Sequence, residues 1–463
     1  EVLMARSAPA ISTFTAGEIS PRLEGRVTIE KYREGLSNLT NMIVQPHGGV
    51  TRRPGTEYLG EVKDSDDVTR LIPFEFKTSD TYALEFGDQY MRVFRNGLQV
   101  LEDSEKAVSA ITLASPGVFT SSAHGLSNGD EVYLDNTGGG MTELVSRNYL
   151  IAGATTNTFT LTDLFGNAVD TTGFTAYTGS GISVDKIYEV STPYTSAQVN
   201  DVRFAQSADV MYLVHPSHAV RTLSRTDHNA WTFATPVINE NDTPTLTSAD
   251  NYPSVVTFFE QRLVFAASNN NPQTLWFSKS ADYLNFHTGV SDDDALIYTI
   301  ASNKVNAIRY LSATRILSIG TSGGEYVLTT TNGGPVTPTQ TVIRKYSNYG
   351  CIDSEVVQVA DVTLFSQRGA RKVREFRYVG EVDVAGYAAT DITILSEHLT
   401  EGGIEEFAYQ QEPESIVWAR RADGTLLGLT YRREEEIVAW HKHIIGGEFS
   451  GGQAVVESII SLP

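Results

Sequence analysis

A single cysteine, Cys351, stands in a chain of 463 residues. No intrachain disulfide can form and no cysteine-based zinc cluster can be built, so an oxidising compartment is neither required nor indicated. No stretch approaches the ~18 consecutive apolar residues that a membrane-crossing helix needs. The opening residues, EVLMARSAPAISTF, lack the apolar run of a secretory signal. Met4 reads as an initiator, which makes Glu1–Leu3 a remnant or a mis-set start. These absences predict a chain made in the cytosol that does not insert into membranes. Basic residues are also scarce: 35 Lys and Arg face 56 Asp and Glu, a formal charge of −21. That balance excludes tight nucleic-acid binding, which depends on cations displacing counterions from phosphates. It excludes docking on an anionic bilayer as well. A surface past which DNA slides without sticking stays compatible with it, because like charges repel.

What the chain does have is β-forming sequence. Hydrophobic residues make up 41%, charged residues 20%, and there are 21 Tyr and 20 Phe, enough for several packed cores. Helical periodicity is hard to find, whereas short runs rich in Val, Ile, Tyr, Phe and Thr recur between Gly, Asn and Asp. TYALEFGDQYMRVF at 81–94 and ILSIGTSGGEYVL at 316–328 each read as two strands around a tight turn. Aligned on Val210, Leu263, Ile316, Leu364 and Val417, such hairpins recur at steps of 53, 53, 48 and 53 residues. An earlier one begins near Tyr82, and removing about 75 residues as an insertion restores the same step.

A period near 50 fits a β-propeller, whose blades each use four short strands and cannot bury both faces alone. The fold class read here is all-β: a propeller of about six four-stranded blades, with a small inserted β-module and an N-terminal assembly segment. Length alone suggests about three domains. The repeat divides the chain into 1–65 as assembly segment, 66–107 as first blade, 108–182 as insert in the first inter-blade connection, and 183–463 as remaining blades. The last run, Val455–Leu462, looks like the first strand of another blade, which suggests a truncated chain or a strand that closes the ring. A β-sandwich is the alternative, but it gives no reason for the ~50-residue repeat.

Chemical motifs are few. Gly320-Thr321-Ser322-Gly323-Gly324 matches G-x-S-x-G, but a strand follows it where a nucleophile elbow needs a helix, so it reads as a hairpin turn. His441 and His443, and His215 and His218, have spacings that suit a metal, yet no third ligand is identifiable; they read as surface or blade-edge residues. Asp292-Asp293-Asp294 lacks the ligand alternation of a calcium loop. No phosphate-binding signature is present. The reading therefore assigns no catalytic, metal or cofactor-binding residue and no cofactor. Arg368, Arg371, Lys372, Arg374 and Arg377 form the one basic run, a candidate partner contact on an acidic chain. The turns at His47-Gly48-Gly49 and Arg52-Arg53-Pro54-Gly55 bracket one short strand in a segment without its own core.

Two regions carry a family resemblance. F-x-x-G-E-x-S-P-R-L-x-G-R spans Phe14–Arg26 and leads to G-G-x-x-R-R-P-G-T at Gly48–Thr56; LLGLTYRREEEIVAWHKH spans Leu426–His443, with LWFSKSADYLNF at Leu275–Phe286 as a weaker match. Through them the chain resembles the tail nozzle (tail tubular protein B-like) and tail-hub proteins of short-tailed phages. The insert, with AHGLSNGDEV at Ala123–Val132, resembles the small β-module named after the first catalytic cysteine half-domain of ubiquitin-activating enzymes; it holds no cysteine.

The resemblance implies a structural virion protein, made in the host cytoplasm and built into the tail. Its expected partners are further copies of itself in a hexameric ring, the portal and adaptor proteins, and possible tail fibres or spikes. DNA would pass through the channel without specific binding. Gly48, Gly49, Pro54 and Gly55 would then set the path of the assembly segment, with Arg52 and Arg53 in inter-subunit ion pairs. Two readings stay open beside it: a tail hub that plugs the portal and stabilises packaged DNA, and a carbohydrate-active propeller, either glycosidase or lectin.

Overall fold

The computed structural model describes residues 11–241, 244–331, 333–381 and 384–463; the expectation for Met4 lies outside them. Among the described residues strands account for nearly all regular structure, and the only helical turns are short 3₁₀ segments such as Glu30–Glu34. Six antiparallel sheets follow one another along the chain. The first strands are Arg70–Lys77, Arg203–Ser207, Val255–Phe259, Ile308–Ala313, Val357–Val359 and Ile404–Gln410, and they open blades 1 to 6 in that order. Each blade then proceeds outward through a second, third and fourth strand. This is the β-propeller expected from the repeat.

The aligned positions Tyr82, Val210, Leu263, Leu364 and Val417 all fall in second strands, and Ile316 immediately precedes one, Leu317–Thr321. The second strands Arg262–Ala266 and Val362–Ser366 are buried along their whole length. Each blade therefore needs a neighbour on both faces, and apolar clusters fill the gaps between them. Phe74, Tyr82 and Trp231 sit between blades 1 and 2, Phe265 and Trp276 between 2 and 3, and Leu317 and Phe277 between 3 and 4. Tyr310, Phe365 and Phe376 join blades 4 and 5, and Leu364, Val417 and Trp440 join 5 and 6. Full burial of one such side chain contributes about 1.5–3 kcal/mol.

The seam between blades 6 and 1 is closed differently. Val455–Leu462 is not the first strand of a further blade; it lies outside any sheet. Ser458 Oγ accepts from the Leu71 N–H at 3.1 Å and donates to Glu406 Oε1 at 2.9 Å, so the tail ties the two first strands together.

The insert corrects two expectations. It interrupts blade 1 instead of linking two blades, because Glu189–Ser191 returns to pair with Tyr90–Arg95 as that blade's fourth strand. A three-residue strand whose ladder partner lies about a hundred residues back leaves no alternating pattern to read. The insert's boundaries also move outward. Lys106–Ala107 pairs with Ile182–Lys186, while Ala110–Ile111, just beyond it, pairs with Val118–Thr120 at the other end of the sheet. One continuous stretch thus joins both edges and closes the sheet into a small barrel around Phe119, Val132, Phe159 and Leu161. Closure removes its free edges.

Candidate functional site

Residues from Ile11 to about Gly60 form a strap over the outer end of blade 6. Gly17–Glu18 adds a parallel strand to Ile437–His443, and Gly35–Leu36 extends it, so that blade has six strands. Only glycine fits at position 17: φ is +66°, and a Cβ would lie 2.6 Å from the Trp440 backbone. The buried Glu18 carboxylate accepts from the Leu39 N–H at 2.6 Å and from His398 Nε2 at 3.1 Å, with Lys442 Nζ at 3.3 Å. Burial pushes its pKa up, but these donors outweigh it and hold the group below the usual carboxylate range.

The expected turn residues divide. Gly48 adopts φ +90° and packs against Thr13, with its carbonyl accepting from the Phe14 N–H at 2.8 Å. A Cβ on Gly49 or Gly55 would meet open space, and Pro54 is exposed. Arg52 is exposed and has no side-chain partner among the described residues. Arg53 turns inward, donating to the Ile444 carbonyl at 3.4 Å.

Beside Arg53 lie two histidines. His441 and His443 are buried, not surface residues as expected, because the strap covers this end of the blade. His441 Nδ1 and His443 Nε2 are 2.6 Å apart, and Thr430 Oγ1 lies 3.1 Å from His441 Nε2. Burial, then the Arg53 cation, lowers His443 to about 4. His215 is likewise buried, not at the surface, and desolvation followed by His218 lowers it to about 4. No third ligand joins either pair among the described residues.

From the strap the chain crosses to blade 1 and walls a groove of about 510 Å³. Its other walls are blade 1, through Leu98 and Leu101, and the barrel, through Tyr133, Arg147 and Phe165. Four apolar side chains here face solvent: Phe165 is 78% exposed, Tyr58 76%, Leu98 70% and Leu59 51%. Beneath them blade 1 is riveted to the barrel. Arg92 Nη2 donates to Glu131 Oε2 at 2.7 Å and Arg92 Nε to Glu189 Oε2 at 3.3 Å.

The basic run is not one surface. Arg368 is exposed at the hairpin turn; Arg371 pairs with Glu401 at 2.6 Å and Lys372 with Asp391 at 2.7 Å. Arg374 is buried, donates to the Ala389 carbonyl at 2.6 Å, and lies 3.3 Å from the Tyr349 ring centroid. Arg377 pairs with the buried Glu375, which also accepts from Tyr431 and Arg433 of blade 6. Strand alternation sends Arg374 and Arg377 to opposite faces.

A second cluster, not singled out from sequence, closes one mouth of the propeller axis. Arg70 of blade 1 donates to Glu355 at 2.8 Å; Arg203 of blade 2 meets Asp353 at 3.4 Å; Arg309 of blade 4 also binds Asp353. Asp353 and Glu355 precede blade 5, so the Arg70 and Arg203 pairs reach across the axis between blades that are not neighbours, while Arg309 reaches in from the adjacent blade. The repeat held the signal: Arg70 and Arg203 open their blades' first strands, and Arg309 is second in its own. Past this plug lies an axial cavity of about 330 Å³ lined by Gln206, Thr257, Ser312 and Gln358.

Ser322 and Gly323 form the tight turn between Leu317–Thr321 and Gly324–Thr330, the hairpin expected of the G-x-S-x-G match. Cys351 is buried and its thiol is pushed up by desolvation. The backbone carbonyls of Asp292 and Asp294 accept from Arg262, so that acidic loop is held by a cation already in the fold.

No protein-family profile matches the chain, and no curated protein matches it. Among solved structures it is similar to the Cps50 (Swd1) β-propeller domain of Myceliophteria thermophila, at 11% identity over 83% of this chain and 96% of that one, TM-score 0.37. It is similar to the RRP9 WD40 repeats at 7% identity, over 77% and 84%, TM-score 0.34. It is also similar to the phage phi92 endosialidase at 14% identity, over 69% of this chain and 55% of that one, TM-score 0.28. The chain thus spans about half the length of that last protein.

Proposed function

We propose that this protein is a structural component of a phage tail, a nozzle-like subunit that assembles with further copies into a ring around the DNA path. The observation that carries the reading is the groove where strap, blade 1 and barrel meet. Large apolar side chains gathered at one exposed place, rimmed by polar groups, mark a protein–protein contact. Tyr58 and Leu59, which line it, close the very segment whose motifs resemble the nozzle family, and Arg52 of that segment is exposed. DNA would run between subunits, because the Arg70–Glu355 and Arg203–Asp353 pairs occlude one mouth of each propeller's own axis. The net charge of −21 on each copy would keep phosphates from adhering to such a channel. No covalent chemistry is required.

The test is assembly of the full chain. Native mass measurement and negative-stain imaging are expected to show a ring with a central opening. Leu98→Arg with Phe165→Arg should reduce it to monomers while leaving the β-sheet circular-dichroism signal unchanged. A wild-type chain that stays monomeric at every concentration, or rings that survive both substitutions, would overturn the proposal.

A further inference from the structure

Between the outer strands of blades 4 and 5, far from the groove described above, lies an open trough of about 830 Å³. Its walls are the fourth strands Thr341–Ser347 and Val384–Asp391, and its lining is tyrosine-rich: Tyr346, Tyr349 and Tyr387, with Tyr378 at the rim. Tyr346 and Tyr378 each meet Tyr387 edge-on, with centroids at 5.2 and 5.4 Å. The rings are held in place from below. Phe376 stacks on Tyr387 at 5.5 Å, and the Arg374 guanidinium lies flat against Tyr349, fixed by bonds to Gln367 and the Ala389 carbonyl.

Two features define what would bind. The first is hydrogen-bonding capacity. None of the four phenol hydroxyls has a partner among the described residues, and Asn348 and Thr390 line the same wall. Burial raises the Tyr387 pKa, and the neighbouring Tyr346 and Tyr378 phenols raise it further, while the Arg315 cation pulls it back. The second is charge. Asp391 is paired with Lys372 and bonded to Thr393, whereas Arg374 bonds only neutral acceptors, Gln367 and the Ala389 carbonyl, and keeps its positive charge against Tyr349.

Aromatic faces with unpartnered hydroxyls in an open trough suit a flat ring that is apolar on its faces and hydroxylated at its edges. We infer that this trough is a binding site for a saccharide chain, with Tyr349 and Tyr378 as stacking platforms and Tyr387 as a hydrogen-bonding floor. A proline-rich peptide is the competing occupant, since such peptides also seek aromatic grooves. It needs ridges lying side by side, whereas these rings stand edge to face. The site is separate from the assembly groove and does not depend on the ring.

The test uses the full chain on an immobilised panel of neutral and acidic oligosaccharides, with a proline-rich decapeptide alongside. At least one saccharide should be retained. Tyr349→Ala with Tyr378→Ala, both exposed and so tolerated by the fold, should weaken its dissociation constant at least tenfold, and Tyr387→Phe should weaken it several-fold. Assembly state should not move. Failure to retain any saccharide, equal retention by the double variant, or capture of the decapeptide in its place would overturn the inference.

Discussion

Arg92 of blade 1 donates to Glu131 of the inserted barrel at 2.7 Å, and both side chains are almost wholly out of solvent. The desolvation of two charges is repaid only while both are present. Arg92→Met is therefore expected to cost about 3–5 kcal/mol, because it strands a buried carboxylate. Arg92→Met with Glu131→Leu should recover most of that loss. Urea unfolding of the single and double variants measures the difference, and equal destabilisation by both would contradict the account.

The strap hangs on two glycines. Gly17→Ala forces a Cβ into the Trp440 backbone at a positive φ, and Gly48→Ala drives one into Thr13. Strain of this kind costs on the order of 1–3 kcal/mol per site. The blades do not share it, so the expected outcome is local release. Hydrogen exchange should rise along Ile11–Arg53 and at Ile437–His443, while the amides of blades 2 to 4 keep their protection.

Acid should loosen the same region, and blade 2 around His215. His443 and His215 titrate near 4 in the folded chain and near ~6.5 when unfolded; His441 is also held well below its ordinary value by burial and by His443. Between those limits the unfolded chain binds protons that the native chain does not, so stability rises with pH. The contribution is complete above about 6.5 and is lost as pH falls towards 4, at about 3 kcal/mol for a fully buried histidine. Glu85, Glu325 and Glu406, raised by burial, oppose it. The net slope is thus best read by difference. His443→Gln should flatten the dependence of the urea midpoint on pH between 4 and 6.5, and an unchanged slope would count against the assignment.

The propeller was legible because second strands such as RLVFA and VTLFS are buried throughout and rich in large apolar residues. First strands are less clear: Arg203–Ser207 is mostly half-buried and faces the polar axis. For that reason the repeat registered on second strands, and Arg70, Arg203 and Arg309 went unnoticed as a set. Gly48, Gly49 and Gly55 read as turns, but of these only Gly48 is held by a contact, whereas Gly17 and Gly35 are also hemmed in by their neighbours, and contacts come from the partner surface. The burial of His441 and His443 was hidden for the same reason. Their cover is supplied by residues some four hundred positions earlier, such as Val44.

The ring seam offers the sharpest remaining test of the fold. Between other blades, apolar clusters do the joining; here Ser458 Oγ spans Leu71 and Glu406, and the Ile459 N–H donates to Glu406 Oε2 at 3.2 Å. Burial raises the Glu406 pKa, and Ser458 and then the Arg70 and Arg420 cations pull it back. Ser458→Ala removes one hydroxyl that makes two bonds and should cost about 1–3 kcal/mol. Deleting 455–463 should do more, because Arg70–Lys77 and Ile404–Gln410 then lose the chain that links them. The expected signature is faster hydrogen exchange confined to those two first strands, with Val255–Phe259 and Ile308–Ala313 unaffected. Uniform loss of protection around the ring would mean that the seam has no separate stability and that the blades open only together.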